Sequence, residues 1–525
     1  MLATLITAVV DGLEGALVRV EVDVAPGLPV CQIVGLPDTA LSEARERVRG
    51  AIRNSGYAYP QQRITVNLAP AGRRKHGAAY DVAIAVGILV ASGQVAASGG
   101  DWALLGELSL SGAVQPVAGV LPMAHTLARA GARRIGVPAA NAAEAGLVHG
   151  IAVEPLEGLD DAVRLVAGPR GRRAARAVRR SPVAVSGTLG DGPAGGGPLI
   201  GGQPPVDLVD VRGQAAARWA LEVALAGGHS LILVGSPGVG KTLLARAIPG
   251  LLPPLDGREA LEVTVISSVA GLLGPGAGLC RERPFRAPHH TSSYAALVGG
   301  GPRLAPGEVS LAHTGVLFLD ELAEFDRDVL DALRQPLEEG SVVIARAQGA
   351  VRFPAEVQLV AAMNPCRCGF YGDLERACTC APGDPERYVR RVSGPLLDRL
   401  DLRVEMPRVR PAELLLGEDP EPSRVVAARI AVARSRALAR NEGLLNARLS
   451  GPRAIEVCNL PGAARELLAL LASRRSLTAR GVHRIVRIAR TIADLAGRER
   501  VTDEDLLAAA DLRDPAAGVQ PELAA

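Results

Sequence analysis

The stretch LILVGSPGVGKTLLARAIP, residues 231–249, decides how the rest of the chain is read. The apolar run Leu231 to Val234 leads into Gly235-Ser236-Pro237-Gly238-Val239-Gly240-Lys241-Thr242, which fits G-x-x-x-x-G-K-[ST], and a helical pattern comes directly after it. A strand, a glycine loop and a helix in that order build a phosphate cradle, because glycines let backbone N–H groups close around an anion at a helix N-terminus. Lys241 would then reach the β and γ phosphates and the Thr242 hydroxyl would ligate Mg²⁺, so ATP and Mg²⁺ are the expected cofactors.

Two further apolar runs fit the same machine. Val316-Leu317-Phe318-Leu319 ends in Asp320-Glu321, and Val357 to Met363 ends at Asn364. Phosphoryl transfer needs charge compensation and an aligned nucleophile more than covalent help. Asp320 is therefore expected to hold Mg²⁺, Glu321 to polarise the attacking water, and Asn364 to orient that water from the other side.

Length and composition bound the remainder. At 525 residues the chain exceeds one ordinary core, so two or three domains are expected. No apolar run reaches the roughly 18–20 residues that span a bilayer, and the opening MLATLITAVVDGLEG lacks the features of a signal peptide. A cytoplasmic protein with no membrane partner is the expectation, and there seven cysteines are more often free, buried or metal-bound than paired. A net charge of +3 is too small to argue for nucleic acid by itself. Residues 168–206 are arginine-rich, then rich in Gly, Pro and Ser, and read as a linker whose basic half is either a nucleic-acid contact or a solvated tether. Before it, β-like runs (ALVRVEVDVA, RITVNLAP) mix with the helix-like DVAIAVGILVASG. From about residue 411 the pattern is almost wholly helical.

The chain resembles the AAA+ ATPases, within them the magnesium-chelatase-like group, and most closely the YifB/ComM family. The strings that carry this are RPFRAPHHTSSYAALVGGG (283–301), PGEVSLAHTGVLFLDELAEF (306–325), AAMNPCRCGFYGD (361–373) and SGPLLDRLDL (393–402). The resemblance implies an α/β fold: an N-terminal Lon-protease-like α/β domain (1–167), an AAA+ P-loop α/β core (207–408), an all-helical lid (409–515) and a tail (516–525). It also implies that Asn364 is the sensor 1 residue and Arg399 an arginine finger reaching a neighbouring subunit. Arg480 in SLTARGVHRIVRIAR would be the sensor 2 arginine, with Arg487 the second candidate. An arginine finger acting in trans implies a ring, and the family suggests a homo-hexamer that moves on DNA and drives branch migration. A magnesium-chelatase-like ATPase that remodels a protein partner is the alternative.

The N-terminal block resembles the domain of Lon-type proteases, whose site is a Ser-Lys dyad. Ala79 and Leu121 stand where the serine and lysine would be, and neither can attack a carbonyl or accept a proton. The expectation is a fold kept without the protease chemistry, with Lys75 and His76 in a polar loop. Between Lys241 and Asp320 the core carries insertions, one holding Arg283, Arg286, His289 and His290; the paired histidines read as a loop contact ahead of a metal site. VVIARAQGAVRF (342–353) reads as a hairpin whose Arg346 and Arg352 meet nucleic-acid phosphates or are simply solvated.

Cys366, Cys368, Cys378 and Cys380 form two C-x-C pairs immediately after Asn364. Four thiolates at about 2.3 Å satisfy a tetrahedral Zn²⁺, and a small loop without a core gains from such a clip. Free cysteines and a redox disulfide stay open, the latter disfavoured by a reducing compartment. Structural zinc is the reading put first, as a brace between Asn364 and Arg399.

Overall fold

The computed structural model describes residues 1–35, 39–70, 77–168, 206–301, 304–346, 349–373, 375–410, 412–413 and 419–513. Lys75, His76, the hairpin tip Ala347-Gln348, the tail and all but the ends of the expected linker lie outside these residues, and the side chain of Arg346 is not described. Two compact units result. One contains the described residues of 1–168, 256–281 and 301–306, and the other contains 206–255, 282–300 and the described residues from 307 to 513.

The second unit is built on a five-stranded parallel sheet. Its strand order is Phe285–Arg286, Val316–Leu319, Gln358–Met363, Leu231–Gly235, Leu402–Met406. The three inner strands are buried at every residue because both faces of a parallel sheet are covered, whereas the outer strand Leu402–Met406 alternates buried residues with exposed Arg403 and Glu405. Leu231 and Leu233 face one core with Phe318 and Val360, while Ile232 and Val234 face a second core with Leu317, Leu319, Leu359 and Ala361. That division is the two-residue period of a strand. The register sets Val234 beside Met363 and Leu319 beside Ala361. Gly235, Asp320 and Asn364 consequently all leave the sheet at its C-terminal edge, the edge where open parallel sheets bind ligands.

The first of these cores is closed by helices. Ala215–Gly227 packs with Ser423–Arg440 and Ala479–Leu495, which contribute Ile430, Ala433, Ile485 and Ile488 to it. Gly451–Cys458, Gly462–Arg474 and Asp503–Arg513 complete the helical region. Each buried isoleucine contributes about 1.5–3 kcal/mol by leaving water. Polar pairs fix the register of the packing. Arg429 donates to both oxygens of Glu222 at 2.7 and 2.9 Å, and Arg440 donates to both of Asp494 at 2.6 and 2.8 Å. Arg490, 1% exposed, donates to Asp494 at 3.0 Å and to the carbonyls of Arg498 and Glu499.

In the first unit a four-stranded sheet runs Leu2–Asp11, Glu14–Ala25, Arg63–Ala69, Val30–Val34, antiparallel except for the last pair. Trp102–Leu104, Arg134–Pro138 and Ala152–Leu156 form a second, parallel sheet. The runs expected as strands and the helix Asp81–Ala91 are where the apolar patterning put them. That helix is buried all round, which is why its sequence carries almost no polar face. Ala79 and Leu121 are 8% and 3% exposed and belong to one apolar cluster, against which Val265 of the inserted helix Gly257–Val269 packs. Ser268 of the same helix donates to Glu144, whose other oxygen accepts from Asn141 at 3.0 Å. Among the described residues no helix is long and apolar enough to cross a membrane.

Candidate functional site

Gly238 and Gly240 adopt φ of 82° and 98°, values that L side chains rarely take, and this lets the loop after Leu231–Gly235 curl into the helix Lys241–Arg246. Lys241 is 8% exposed and its Nζ donates to the carbonyls of Gly235 (2.7 Å) and Ser236 (3.0 Å) and to Asn364 Oδ1 (3.1 Å). Burial pushes this ammonium's pKa down, opposed by the nearby carboxylates of Asp320 and Glu321. Thr242 Oγ1 donates to Asp320 Oδ2 at 2.7 Å, and Asp320 Oδ1 accepts from the Glu321 N–H at 2.9 Å. Glu321 has φ of 51°, in the left-handed region, and its carboxylate lies 3.2 Å from His290 Nδ1.

These groups fit a nucleotide with its metal. A hydroxyl and a carboxylate in contact at the helix start are an all-oxygen donor set of the kind Mg²⁺ takes, and the backbone N–H groups of residues 238–242 with the buried ammonium suit phosphate oxygens. Gly235 to Thr242, Asp320, Glu321 and Asn364 are thus brought together as the sequence led one to expect.

Arg399 and Arg480 are elsewhere. Both line a cavity of about 790 Å³ with Arg334, Arg448, Arg484 and Arg487. It also includes Ser230, Val357 and Asp401, the residues just before three of the sheet strands, and so lies at the N-terminal edge of the sheet. A strand such as Leu231–Gly235 is about 13 Å from end to end at 3.3 Å per residue, so the sheet stands between this cavity and the chain's own phosphate loop. Six arginines there face the three acids Glu338, Asp398 and Asp401, leaving an excess of positive charge. Arg399, 14% exposed, pairs with Glu338 and donates to the Pro395 carbonyl at 2.6 Å, yet its buried Nε has no partner. The buried Nε of Arg487 also lacks one, and burial pushes its guanidinium pKa down. Arg480 is exposed. Burial would push Asp401 up, but His229, Arg484 at 3.3 Å and the Ser230 N–H outweigh it and hold the carboxyl below its ordinary value. Arg334, Arg448, His483 and Arg484 were not singled out by sequence; only the i, i+4 and i, i+7 spacing of Arg480, Arg484 and Arg487 on one helix hinted at a shared face.

The four cysteines converge. Cys366, Cys368 and Cys378 Sγ atoms lie 3.3, 3.4 and 3.7 Å apart, and all four ligand atoms fall within 4.8 Å of one another. A tetrahedron of 2.3 Å metal–sulfur bonds has edges of about 3.8 Å, so the cluster can hold one metal ion. The backbone N–H groups of Phe370 and Thr379 pull the Cys368 thiol down to about 5, favouring thiolate. The loop also grips the phosphate loop. Asp373 accepts from Ser236 Oγ at 2.7 Å and Arg408 Nε at 3.0 Å, which hold its carboxyl well below the usual range, and Gly369 lies directly against the Pro237 ring. The loop that follows Asn364 thus contacts Ser236 and Pro237 of the phosphate loop, contacts that the sequence did not disclose, whereas Arg399 stands at the opposite edge of the sheet.

Arg283 and Arg286 have internal roles. Arg283 donates to the carbonyls of Pro253 (2.9 Å) and Thr314 (2.7 Å), and Arg286 forms a two-pronged pair with Glu308 at 2.6 and 2.7 Å. Ser341–Arg346 and Gly349–Pro354 form the expected antiparallel hairpin.

A parallel sheet of this order, a phosphate loop, an acid-tipped neighbouring strand and a helical lid define a magnesium-chelatase-like AAA+ protein. Residues 207–414 match the family model for magnesium chelatase, subunit ChlI, residues 20–141 that for subunit ChlI of Mg-chelatase, and residues 420–513 that for the ChlI C-terminal region. A protein of Mycobacterium tuberculosis (strain ATCC 25618 / H37Rv) is 44% identical over 509 residues, covering 96% of this chain and 97% of its own length. YifB of Escherichia coli K12 is 41% identical over 504 residues (96% and 95%), and competence protein ComM of Haemophilus influenzae is 40% identical over 506 (96% and 95%). The chain belongs to the YifB/ComM family of magnesium-chelatase-like proteins.

Proposed function

We propose that the protein is an ATP-hydrolysing ring motor that acts on DNA, a homo-hexamer resembling a branch-migration helicase. The observation that carries this reading is the separation of the phosphate loop from the arginine cavity by the length of the sheet's strands. Lys241 and its neighbours bind ATP, Thr242 and Asp320 hold Mg²⁺, Glu321 takes the proton of the attacking water, and Asn364 orients that water. The metal supplies charge compensation on the phosphates. Arg399 and Arg487 complete the site of the next subunit, since they line an open cavity with an excess of positive charge and their own chain's nucleotide is out of reach. Arg487 takes the role first given to Arg480 because it is the half-buried one of the two.

The remaining assignments belong to the same proposal. Residues 1–167 form an inactive Lon-like domain, 168–206 a linker, 207–408 the ATPase core, 409–515 the lid and 516–525 a tail. The four cysteines hold a structural Zn²⁺, and the protein works in the cytoplasm. DNA as the substrate rests on the family resemblance, on the name of the competence protein among the relatives and on the hairpin carrying Arg352. The alternative, remodelling of a protein partner, is favoured by similarity to the magnesium-chelatase 67 kDa subunit of Heliobacterium mobile, 26% identical over 41% of this chain. Mg²⁺-dependent ATP hydrolysis, measured with and without single-stranded and branched DNA, separates the two. Stimulation by DNA is expected; hydrolysis indifferent to every DNA, with no DNA binding, would reject the motor reading.

A further inference from the structure

The strands Phe285–Arg286 and Val316–Leu319 are parallel neighbours, Phe285 beside Val316 and Arg286 beside Leu317. Both chains leave the sheet at the same edge, the first carrying His289 and His290, the second Asp320 and Glu321. His290 Nδ1 lies 3.2 Å from Glu321 Oε2. The contact is held from several sides. The His289 ring lies against His290 at 4.1 Å and bonds through Nδ1 to Thr291 Oγ1 at 2.8 Å. The Phe325 and His290 rings stand nearly perpendicular, with centroids 6.4 Å apart. Arg286, locked to both oxygens of Glu308, fixes where the chain leaves its strand. On the other side Glu321 is set by its left-handed backbone, with φ of 51°.

We propose that His290 is a positioning residue for Glu321 in ATP hydrolysis, an inference that rests on Glu321 being the general base. In the reaction the water oxygen bonds to the γ-phosphorus, the bond from phosphorus to the ADP oxygen breaks, ADP keeps that electron pair, and Glu321 takes the water proton. A carboxylate does this only while one oxygen points at the water. A general base is therefore usually oriented by a third group. His290 engages Oε2 and leaves Oε1 for the proton. The exposed carboxylate, 53% accessible, has no other side-chain anchor at hydrogen-bond distance among the described residues. The vicinal histidines are thus a support for the base, with His289 buttressing His290.

Steady-state Mg²⁺-ATPase measurements on the full chain test this. His290→Ala should lower kcat about 10–100-fold, the usual effect of removing an orienting partner, while KM and the affinity for a fluorescent ATP analogue stay within about twofold. His290→Gln, which keeps an N–H donor, should recover much of the rate. The double variant His290→Ala, Glu321→Gln should be no slower than Glu321→Gln alone, since both act through one carboxylate. Parental kcat in His290→Ala, a matching loss of nucleotide affinity, or a further fall in the double variant would each overturn the proposal. If Glu321→Gln itself turned over at the parental rate, the general-base reading would fail instead.

Discussion

Replacing Gly369 with alanine tests the grip of the cysteine loop on the phosphate loop. Gly369 sits at φ of 86°, and a Cβ there would lie 2.6 Å from Pro237 Cδ and 2.7 Å from Cγ. The left-handed backbone costs an alanine about 1–2 kcal/mol, and forcing a methyl into the rigid proline ring adds about 1–3 kcal/mol. The sum, about 2–5 kcal/mol, is within the 5–15 kcal/mol that typically holds a domain together, so the chain folds and relieves the clash by moving the weaker partner. Pro237 lies inside the phosphate loop, where movement misaligns the N–H groups that would meet phosphate. If about 2 kcal/mol of the cost falls on the binding-competent loop, ATP affinity drops about 30-fold, at 1.4 kcal/mol per decade. Gly372→Ala is the control: at φ of 78° it carries the same backbone cost, but a Cβ there meets open space. Titration with a fluorescent ATP analogue should show the loss in Gly369→Ala and near-parental binding in Gly372→Ala. Equal losses in both variants, or parental binding in Gly369→Ala, would refute the claim that this contact couples the two loops.

Metal analysis of protein purified without a histidine tag should find about one zinc per chain, and Cys366→Ser with Cys378→Ser should remove it along with most ATP turnover; a metal-free, fully active preparation would rule out the zinc clip. Arg487→Ala should keep nucleotide binding and lose most turnover, whereas exposed Arg480→Ala should change turnover less; each can be measured beside Arg399→Ala, whose activity should partly return when it is mixed with Lys241→Ala subunits. Burial pushes the Asp81 carboxyl up to about 6 from 3.8 even though Arg47 donates to both its oxygens. Because the folded value is the higher one, its contribution to stability is full below about pH 4 and is lost as pH rises through 6. Thermal melts between pH 4.5 and 7.5 should show this loss in the parent protein and a flatter dependence in Asp81→Asn; identical slopes would contradict it.

The phosphate site was legible in the sequence because its chemistry is local. Gly235 to Thr242 is a continuous run, and each of Asp320, Glu321 and Asn364 sits at the end of an apolar segment of strand length, so periodicity alone places them at strand tips. The four cysteines were legible for the same reason, two short pairs joined by a glycine-containing spacer. The three inner strands were legible as short apolar runs, but the outer strand Leu402–Met406, with exposed Arg403 and Glu405, was not. What the sequence could not show was which edge of that sheet each distant residue reaches. Arg399 and Arg487 line one cavity because one precedes a strand and the other lies on a helix that shares the core of Leu402, Ile485 and Ile488, a juxtaposition set by no local pattern. His290 meets Glu321 because two strands remote in sequence are parallel neighbours, and Gly369 meets Pro237 because the loop folds back across the sheet edge. Local spacing encodes groups that act within a few residues of one another; contacts closed through the core depend on how the whole chain packs, and only the tertiary structure decided those.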